Sequence, residues 1–87
     1  MKLKGLKKAI DDYERANDGG KDSDIYGQLM LNTETGEIWT DAFYGVHHNY
    51  FAYDDPVIVN LSAMLDDLAP DLAVELSTVQ EFVNRTF

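Results

Sequence analysis

Residues 25 to 44 carry the sequence pattern of a β-hairpin. Two runs rich in β-forming residues, Ile25 to Asn32 and Glu37 to Tyr44, flank the segment Thr33-Glu34-Thr35-Gly36. Gly36 can adopt the positive φ that closes a turn between two antiparallel strands. Apolar side chains fall on both faces of each strand, so the alternation does not select the buried face. The chain is therefore expected to fold around an antiparallel sheet that contains this hairpin.

The segment after the hairpin is predicted to add a third strand. Val46 to Tyr53 would form it, joined to the hairpin by a turn between Gly45 and His48. Tyr50 and Phe51 favour a strand because aromatic residues are enriched in sheets. The alternative is a long aromatic loop.

An amphipathic helix is predicted over residues 3 to 16. Its apolar stripe consists of Leu3, Leu6, Ile10 and Tyr13. These positions share one face of a helix with 3.6 residues per turn. The segment Asn17-Asp18-Gly19-Gly20 is expected to end the helix, since glycine readily takes the left-handed conformation of a C-cap.

Two further helices are predicted near the C-terminus. Asp54-Asp55-Pro56 has the pattern of a helix start, with a capping aspartate and proline in the first turn. The stripe that follows consists of Val57, Leu61, Met64, Leu65 and Leu68, and Ala69-Pro70 ends it. Ser77-Thr78-Val79-Gln80 matches a capping box and begins the last helix. The apolar face of that helix would comprise Val79, Phe82, Val83 and Phe87.

These elements predict a single small α+β domain over residues 1–87. The order is an N-terminal helix, about three short antiparallel strands and two C-terminal helices, with one sheet face under the helices. The chain has no cysteine, which excludes disulfides and thiolate metal sites and fits the reducing cytoplasm of a bacterial host. No apolar run reaches the roughly 18–20 residues that span a bilayer, so no membrane association is expected.

Charge is distributed unevenly along the chain. Between Lys21 and Arg85 there is no lysine or arginine, whereas residues 22 to 84 contain twelve acids, and the whole chain carries a net charge of −9. Direct binding to nucleic acid requires clustered cations and is therefore disfavoured. Complementary charge would instead attract a basic protein and make its association sensitive to salt.

Catalytic and metal-binding patterns are weak. His47 and His48 are adjacent, so on a strand their side chains would point to opposite faces and could not easily ligate one ion. The acidic segment from Asp18 to Asp24 lacks the ligand spacing of an EF-hand loop. No nucleophile elbow, phosphate loop or dinucleotide fingerprint occurs. We therefore expect no enzyme activity, no metal and no cofactor.

The acids themselves are the predicted binding site. Most lie at predicted loops and element ends, where their carboxylates could contact lysine and arginine of a basic groove. The predicted partner-binding residues are Asp22, Asp24, Glu34, Glu37, Asp41, Asp54, Asp55, Asp66 and Asp67. Two alternatives remain: an acidic surface that serves only solubility, and a general interaction module or homodimer formed through a free sheet edge.

In size, charge and layout the chain resembles the small acidic inhibitors encoded by phages and mobile elements, including anti-CRISPR proteins and other DNA mimics. The resemblance covers the whole chain and is carried by the order helix, hairpin, helices and by acids at Asp22, Asp24, Glu34, Glu37, Asp54 and Asp55. It implies a non-enzymatic inhibitor that occupies the basic nucleic-acid-binding groove of a CRISPR effector or another defence nuclease.

Overall fold

The computed structural model describes residues 1–18, 24–45, 48–51 and 53–87. Its elements are helix α1 (Leu6–Asp18), strands β1 (Ile25–Asn32), β2 (Ile38–Tyr44) and β3 (Ile58–Asn60), and helices α2 (Leu61–Leu68) and α3 (Leu76–Thr86). The three strands form an antiparallel sheet in the order β2-β1-β3. This is the predicted α+β arrangement, with an N-terminal helix, a three-stranded sheet and two C-terminal helices.

The predicted hairpin is confirmed. β1 and β2 pair over their whole length, with Leu29 opposite Thr40. Gly36 has φ +80°, the left-handed conformation expected of it. The side-chain oxygen of Asn32 accepts hydrogen bonds from the backbone N–H groups of Glu34 and Thr35, at 2.9 and 3.1 Å. The asparagine therefore satisfies two donors that the turn would otherwise expose.

The third strand does not lie where the sequence predicted it. Residues 48–51 and 53 are not in a strand, and Val46, His47 and Ala52 lie outside the described residues. The third strand is instead β3, which pairs with Met30–Asn32 of β1. Ile58 and Val59 are β-branched, which favours an extended backbone. They were not predicted as a strand because the predicted second helix included them.

The predicted start of the second helix is also wrong. Asp55 accepts a hydrogen bond from the N–H of Val57 at 3.1 Å, within a turn that contains Pro56. Helix α2 begins after Asn60, whose side chain accepts the N–H of Ala63 at 3.2 Å. An asparagine cap thus replaces the predicted aspartate cap, because residues 58–60 are required in the sheet. The predicted end before Ala69-Pro70 is confirmed.

Helix α1 begins three residues later than predicted, at Leu6. Lys4 is extended and pairs in parallel with Glu37: its N–H donates to the carbonyl of Gly36 at 2.8 Å, and its carbonyl accepts the N–H of Ile38 at 3.0 Å. Gly5, with φ +81°, then turns the chain into the helix. The N-terminal residues therefore add one parallel β-bridge to the hairpin instead of a first helical turn.

Helix α3 begins at Leu76, before the predicted capping box. Its N-cap is Glu75, whose backbone N–H donates to the hydroxyl of Thr78 at 3.2 Å. Val79, Phe82 and Val83 are buried as predicted, whereas Phe87 is 45% exposed. The prediction of the apolar face was therefore correct for Val79, Phe82 and Val83 and wrong for Phe87, and the predicted first residue of the helix was also wrong.

Different parts of the chain pack on the two faces of the sheet. Leu29 and Leu31 have no exposed surface and belong to the main core with residues of all three helices. On the other face Met30 is equally buried, and the ring of Tyr53 packs against Phe43 with 6.1 Å between centroids. The helices therefore cover one face, and the aromatic segment before β3 contributes to covering the other.

Candidate partner-binding surface

The basic residues of the two terminal helices are engaged with acids of the same helix. The ion pairs are Lys7–Asp11 at 3.5 Å, Lys8–Asp12 at 2.7 Å, Arg15–Asp12 at 3.8 Å and Arg85–Glu81 at 3.8 Å. The hydrogen bond from Lys8 and the charges of Lys8 and Arg15 hold the pKa of Asp12 below its usual value. These exposed pairs contribute little to stability, but they offset positive charge that would otherwise oppose the acidic surface.

Most of the predicted binding acids, in contrast, have no cationic partner. The seven that are exposed and form no ion pair with any described residue are Asp24, Glu34, Glu37, Asp54, Asp55, Asp66 and Asp67. These carboxylates can therefore contact a partner without breaking an ion pair to any described residue. Asp22 lies outside the described residues.

One group of acids lies where the hairpin turns. Glu34 and Glu37 belong to or follow the turn, and Thr33 joins the turn to the loop before β3 by donating its N–H and hydroxyl to the carbonyl of Val57, at 2.8 and 2.7 Å. Asp55 is held near this junction by its own bond to the Val57 N–H. We call Glu34, Glu37, Asp54 and Asp55 the turn-end acids.

A second group lies at the opposite, open end of the hairpin. The carbonyl of Asp24 accepts the N–H of Gly45 at 2.8 Å, which places Asp24 beside the last residue of β2. Asp66 of α2 lies at a small cavity that Tyr13 and Tyr26 also line. Burial, together with the charge of Asp66, raises the pKa of Tyr13. We call Asp24 and Asp66 the open-end acids.

Asp41 and Asp67 serve the fold as hydrogen-bond acceptors. The indole N–H of Trp39 donates to Asp41 at 3.0 Å, and the hydroxyl of Tyr53 donates to the same carboxylate oxygen. The hydroxyl of Tyr50 donates to Asp67 at 2.9 Å. Burial and the bond to Asp41 raise the pKa of Tyr53 to about 12. The structure thus separates these two acids from the other predicted binding residues, because each anchors the aromatic segment before β3.

The prediction omitted two other kinds of exposed residue. Asp71 and Glu75 are exposed acids in the connector between α2 and α3. The side chains of Ile25, Tyr26 and Tyr44 are 43%, 39% and 81% exposed at the open end, where Ile25 pairs with Tyr44 on one face of the sheet and Tyr26 lies on the other. The absence of bases over residues 22 to 84 indicated the acids, whereas alternation along the strands could not show which aromatic residues remain exposed.

The described residues contain no group of three or more histidine, aspartate or glutamate side chains placed to hold a metal ion. His47 and residues 19–23 of the acidic loop lie outside the described part of the chain. The hydroxyl of Ser62 accepts the N–H of Leu29 at 2.7 Å. That bond continues the edge of β1 beyond the end of β3 and gives this hydroxyl a structural role.

Comparisons of the chain with protein-family models, with curated proteins and with solved structures found no match. Among the described residues, no helix combines the length and apolar character needed to cross a membrane. The function is therefore argued from the charge and shape of the surface.

Proposed function

We propose that this protein is a non-enzymatic inhibitor that binds a basic nucleic-acid-binding groove, as an acidic mimic of DNA. The partner class is a defence nuclease such as a CRISPR effector. The observation that carries the proposal is the distribution of charge. The exposed turn-end and open-end acids have no cationic partner among the described residues, while the bases of α1 are offset by acids of their own helix.

The dimensions of the molecule support the proposal. Its longest axis is 36 Å, which is close to the ~34 Å of one turn of B-form DNA. The turn-end and open-end acids lie at opposite ends of β1, whose 8 residues span about 25 Å at ~3.3 Å per residue. Carboxylates therefore recur over a distance that a groove binding one turn of duplex would contact.

Each exposed carboxylate can accept charge-assisted hydrogen bonds from arginine or lysine that normally bind phosphate. Opposite charge accelerates the encounter of two proteins, and this acceleration falls as salt screens the field. An inhibitor of this kind needs no catalytic group. It lowers the activity of its target by excluding the nucleic acid, so its effect decreases as nucleic acid is added.

A second candidate function rests on the cross-strand pair of Ile25 and Tyr44, which are 43% and 81% exposed. Exposed tyrosine beside an apolar neighbour is typical of protein interfaces, in which aromatic residues are enriched. In this alternative the protein is an interaction module or homodimer whose binding depends on apolar contact. Its affinity would change little with salt, whereas the affinity of a DNA mimic would fall steeply.

The proposal is tested by a pull-down from a bacterial lysate that contains CRISPR and restriction systems, eluted with a salt gradient. We expect a nucleic-acid enzyme to elute at moderate salt and to be displaced by its own guide RNA or target DNA. Retention of a partner that neither salt nor nucleic acid displaces would contradict the proposal and favour the interaction module.

A further inference from the structure

The backbone of β2 has a free edge. Asn32 donates its N–H to the carbonyl of Glu37 at 2.8 Å, so Glu37 faces β1, whereas Ile38 donates its N–H outward to Lys4. Gly45 again donates toward β1, to Asp24. Successive residues of a strand direct their backbone groups to opposite sides. Thr40, Ala42 and Tyr44 therefore direct their N–H and carbonyl groups away from β1.

No strand lies beyond these three residues in the described part of the chain, because β2 is the outer strand of the sheet. Helix α1 lies over one face of β2, where the Thr40 hydroxyl donates to the carbonyl of Ala9 at 2.6 Å. Ala42 is exposed and Tyr44 is 81% exposed, so described side chains leave this part of the edge accessible. An exposed row of backbone donors and acceptors is a template for an added strand.

The chain shows which kind of segment this edge accepts. Its own residues Lys2-Leu3-Lys4 lie along the first part of the edge, and Lys4 forms both backbone bonds of a parallel strand there. This segment is extended, alternates lysine with an apolar residue and ends at Gly5. The free edge of Thr40, Ala42 and Tyr44 continues directly from it.

We propose that the β2 edge binds an extended, basic segment of the partner protein by adding it to the sheet as a further strand. This partner is the basic protein of the proposed function, on which the assignment of its charge rests. A second copy of this chain is the less favourable occupant, because the contact would bring together two molecules of net charge −9. An alternating basic segment would instead place cations beside Asp41 and near Asp24.

The test uses a synthetic peptide with blocked ends that alternates lysine and valine over 7 residues, the length of β2. It is titrated into the isotope-labelled protein and followed by NMR. We expect the amide signals of Thr40, Ala42 and Tyr44 to shift and their hydrogen exchange to slow, since these N–H groups acquire acceptors. A peptide of the same length that alternates glutamate and valine should leave these signals unchanged.

Ala42→Pro is the discriminating variant. Proline at a position whose N–H faces away from the sheet removes an edge donor and preserves the β1–β2 ladder. We expect the Kd for the lysine peptide to rise at least about tenfold. Ala42→Ser keeps the N–H and should change the Kd less than about twofold. Equal binding by Ala42→Pro, or shifts confined to the turn-end acids, would overturn the edge assignment. A peptide-independent dimer that the proline variant abolishes would assign the edge to a second copy.

The exchange measurement on the unmodified protein needs no variant, so the inference stays testable if Ala42→Pro fails to fold. The peptide titration and the competition with nucleic acid test the added strand and the proposed function separately. If the protein competes with nucleic acid but the peptide shifts none of the amide signals of the β2 edge, only the proposal of an added strand is contradicted. If the protein binds the peptide at the edge but nucleic acid does not displace it from its partner, the proposal of a DNA mimic is contradicted.

Discussion

Asn60 joins the sheet to helix α2 and is completely buried. Its side-chain oxygen caps α2 by accepting the N–H of Ala63, and its side-chain nitrogen donates to the Gln28 side-chain oxygen at 2.7 Å. Both polar atoms of one side chain are thus satisfied away from water. The residue fixes where β3 ends and α2 begins, and it binds that junction to the central strand.

Asn60→Ala should lower the free energy of unfolding by about 2–4 kcal/mol. Loss of the cap contributes about 1 kcal/mol, and removal of the donor to the buried Gln28 side chain contributes about 1–3 kcal/mol. Urea denaturation followed by circular dichroism would measure the change. Asn49→Ala, at an exposed position, is the control and should shift the value by less than about 0.5 kcal/mol. Similar effects of the two substitutions would contradict the structural role of Asn60.

Gly27 permits the close approach of α1 to the sheet. A Cβ atom at this position would lie 2.5 Å from the Cβ of Ala16 and 3.1 Å from a methyl carbon of Thr40. Asn17 adjoins the same contact, because its side chain donates to the Gly27 carbonyl at 3.0 Å and accepts the Gly27 N–H at 3.1 Å. The helix is therefore held directly against the backbone of β1.

Gly27→Ala should cost about 1–3 kcal/mol of unfolding free energy, because the new methyl group forces α1 away from β1. Ala16→Gly alone should cost about 1 kcal/mol through its lower helix propensity. In the double variant the removed methyl makes room for the added one, so the combined loss should be smaller than the sum of the two. Strict additivity in chemical denaturation would show that the helix does not contact Gly27 in this way.

Residues 48–51 and 53–57 have no regular secondary structure, and two tyrosines anchor this aromatic segment. Tyr50 donates to Asp67 of α2, and Tyr53 donates to Asp41 of β2. The backbone carbonyl of Tyr50 also accepts the N–H of Asn60. Hydrogen bonds therefore join the segment to α2, β2 and β3, and the ring of Tyr53 packs on Phe43 at the second face of the sheet.

Tyr53 should make stability depend on pH in the alkaline range. Its pKa is raised from 10.0 to about 12 in the folded protein, so the unfolded chain loses this proton first. The stabilisation is fully present below pH 10 and is lost as the pH rises towards 12. Melting temperatures of the unmodified protein should therefore fall more steeply over this interval than those of Tyr53→Phe, which keeps the ring but lacks the titrating hydroxyl. Parallel slopes would contradict the bond to Asp41.

Local patterns predicted some elements and misplaced others, for identifiable reasons. The hairpin was predictable because its turn residues and strand formers are adjacent in sequence. The third strand was missed because β3 is 3 residues long and depends on pairing with Met30–Asn32, which no local pattern shows. Val57 also continued the spacing of Leu61 and Leu65, so the helix was extended backwards over the strand.

For the candidate surface, the sequence indicated the exposed acids but not the hydrogen bonds that some acids accept. The lack of bases indicated where exposed acids would lie, and Glu34, Asp55 and Asp66 are indeed exposed without cationic partners among the described residues. The sequence could not show that Asp41 and Asp67 accept tyrosine hydroxyls, because those bonds join residues 12 and 17 positions apart. The β2 edge likewise required the strand order, in which β1 lies in the middle.

At the scale of the whole molecule, the net charge of −9 opposes folding through self-repulsion. Raising sodium chloride from about 20 mM to about 500 mM shortens the Debye length well below the ~10 Å of 0.1 M salt and should screen this repulsion. We expect the urea midpoint to rise over this range. Replacing the four turn-end acids with lysine brings the net charge close to zero and should reduce the rise. A salt response equal to that of the unmodified protein would show that self-repulsion is not its cause.

In the proposed function, particular exposed acids take the place of phosphates in a basic groove. The most direct test measures how strongly two charge-matched variants compete with nucleic acid for the captured partner. One variant reverses the turn-end acids Glu34, Glu37, Asp54 and Asp55 to lysine. The other reverses Asp11, Glu14, Asp71 and Glu81, which are exposed elsewhere, and both should be checked for native circular dichroism.

We expect the turn-end variant to lose its competition with nucleic acid, and the matched variant, whose net charge is the same, to keep most of it. Equal competition by the turn-end variant and the unmodified protein would contradict the account. Equal loss in both variants would also contradict it, because overall charge and not the placement of the carboxylates would then determine binding.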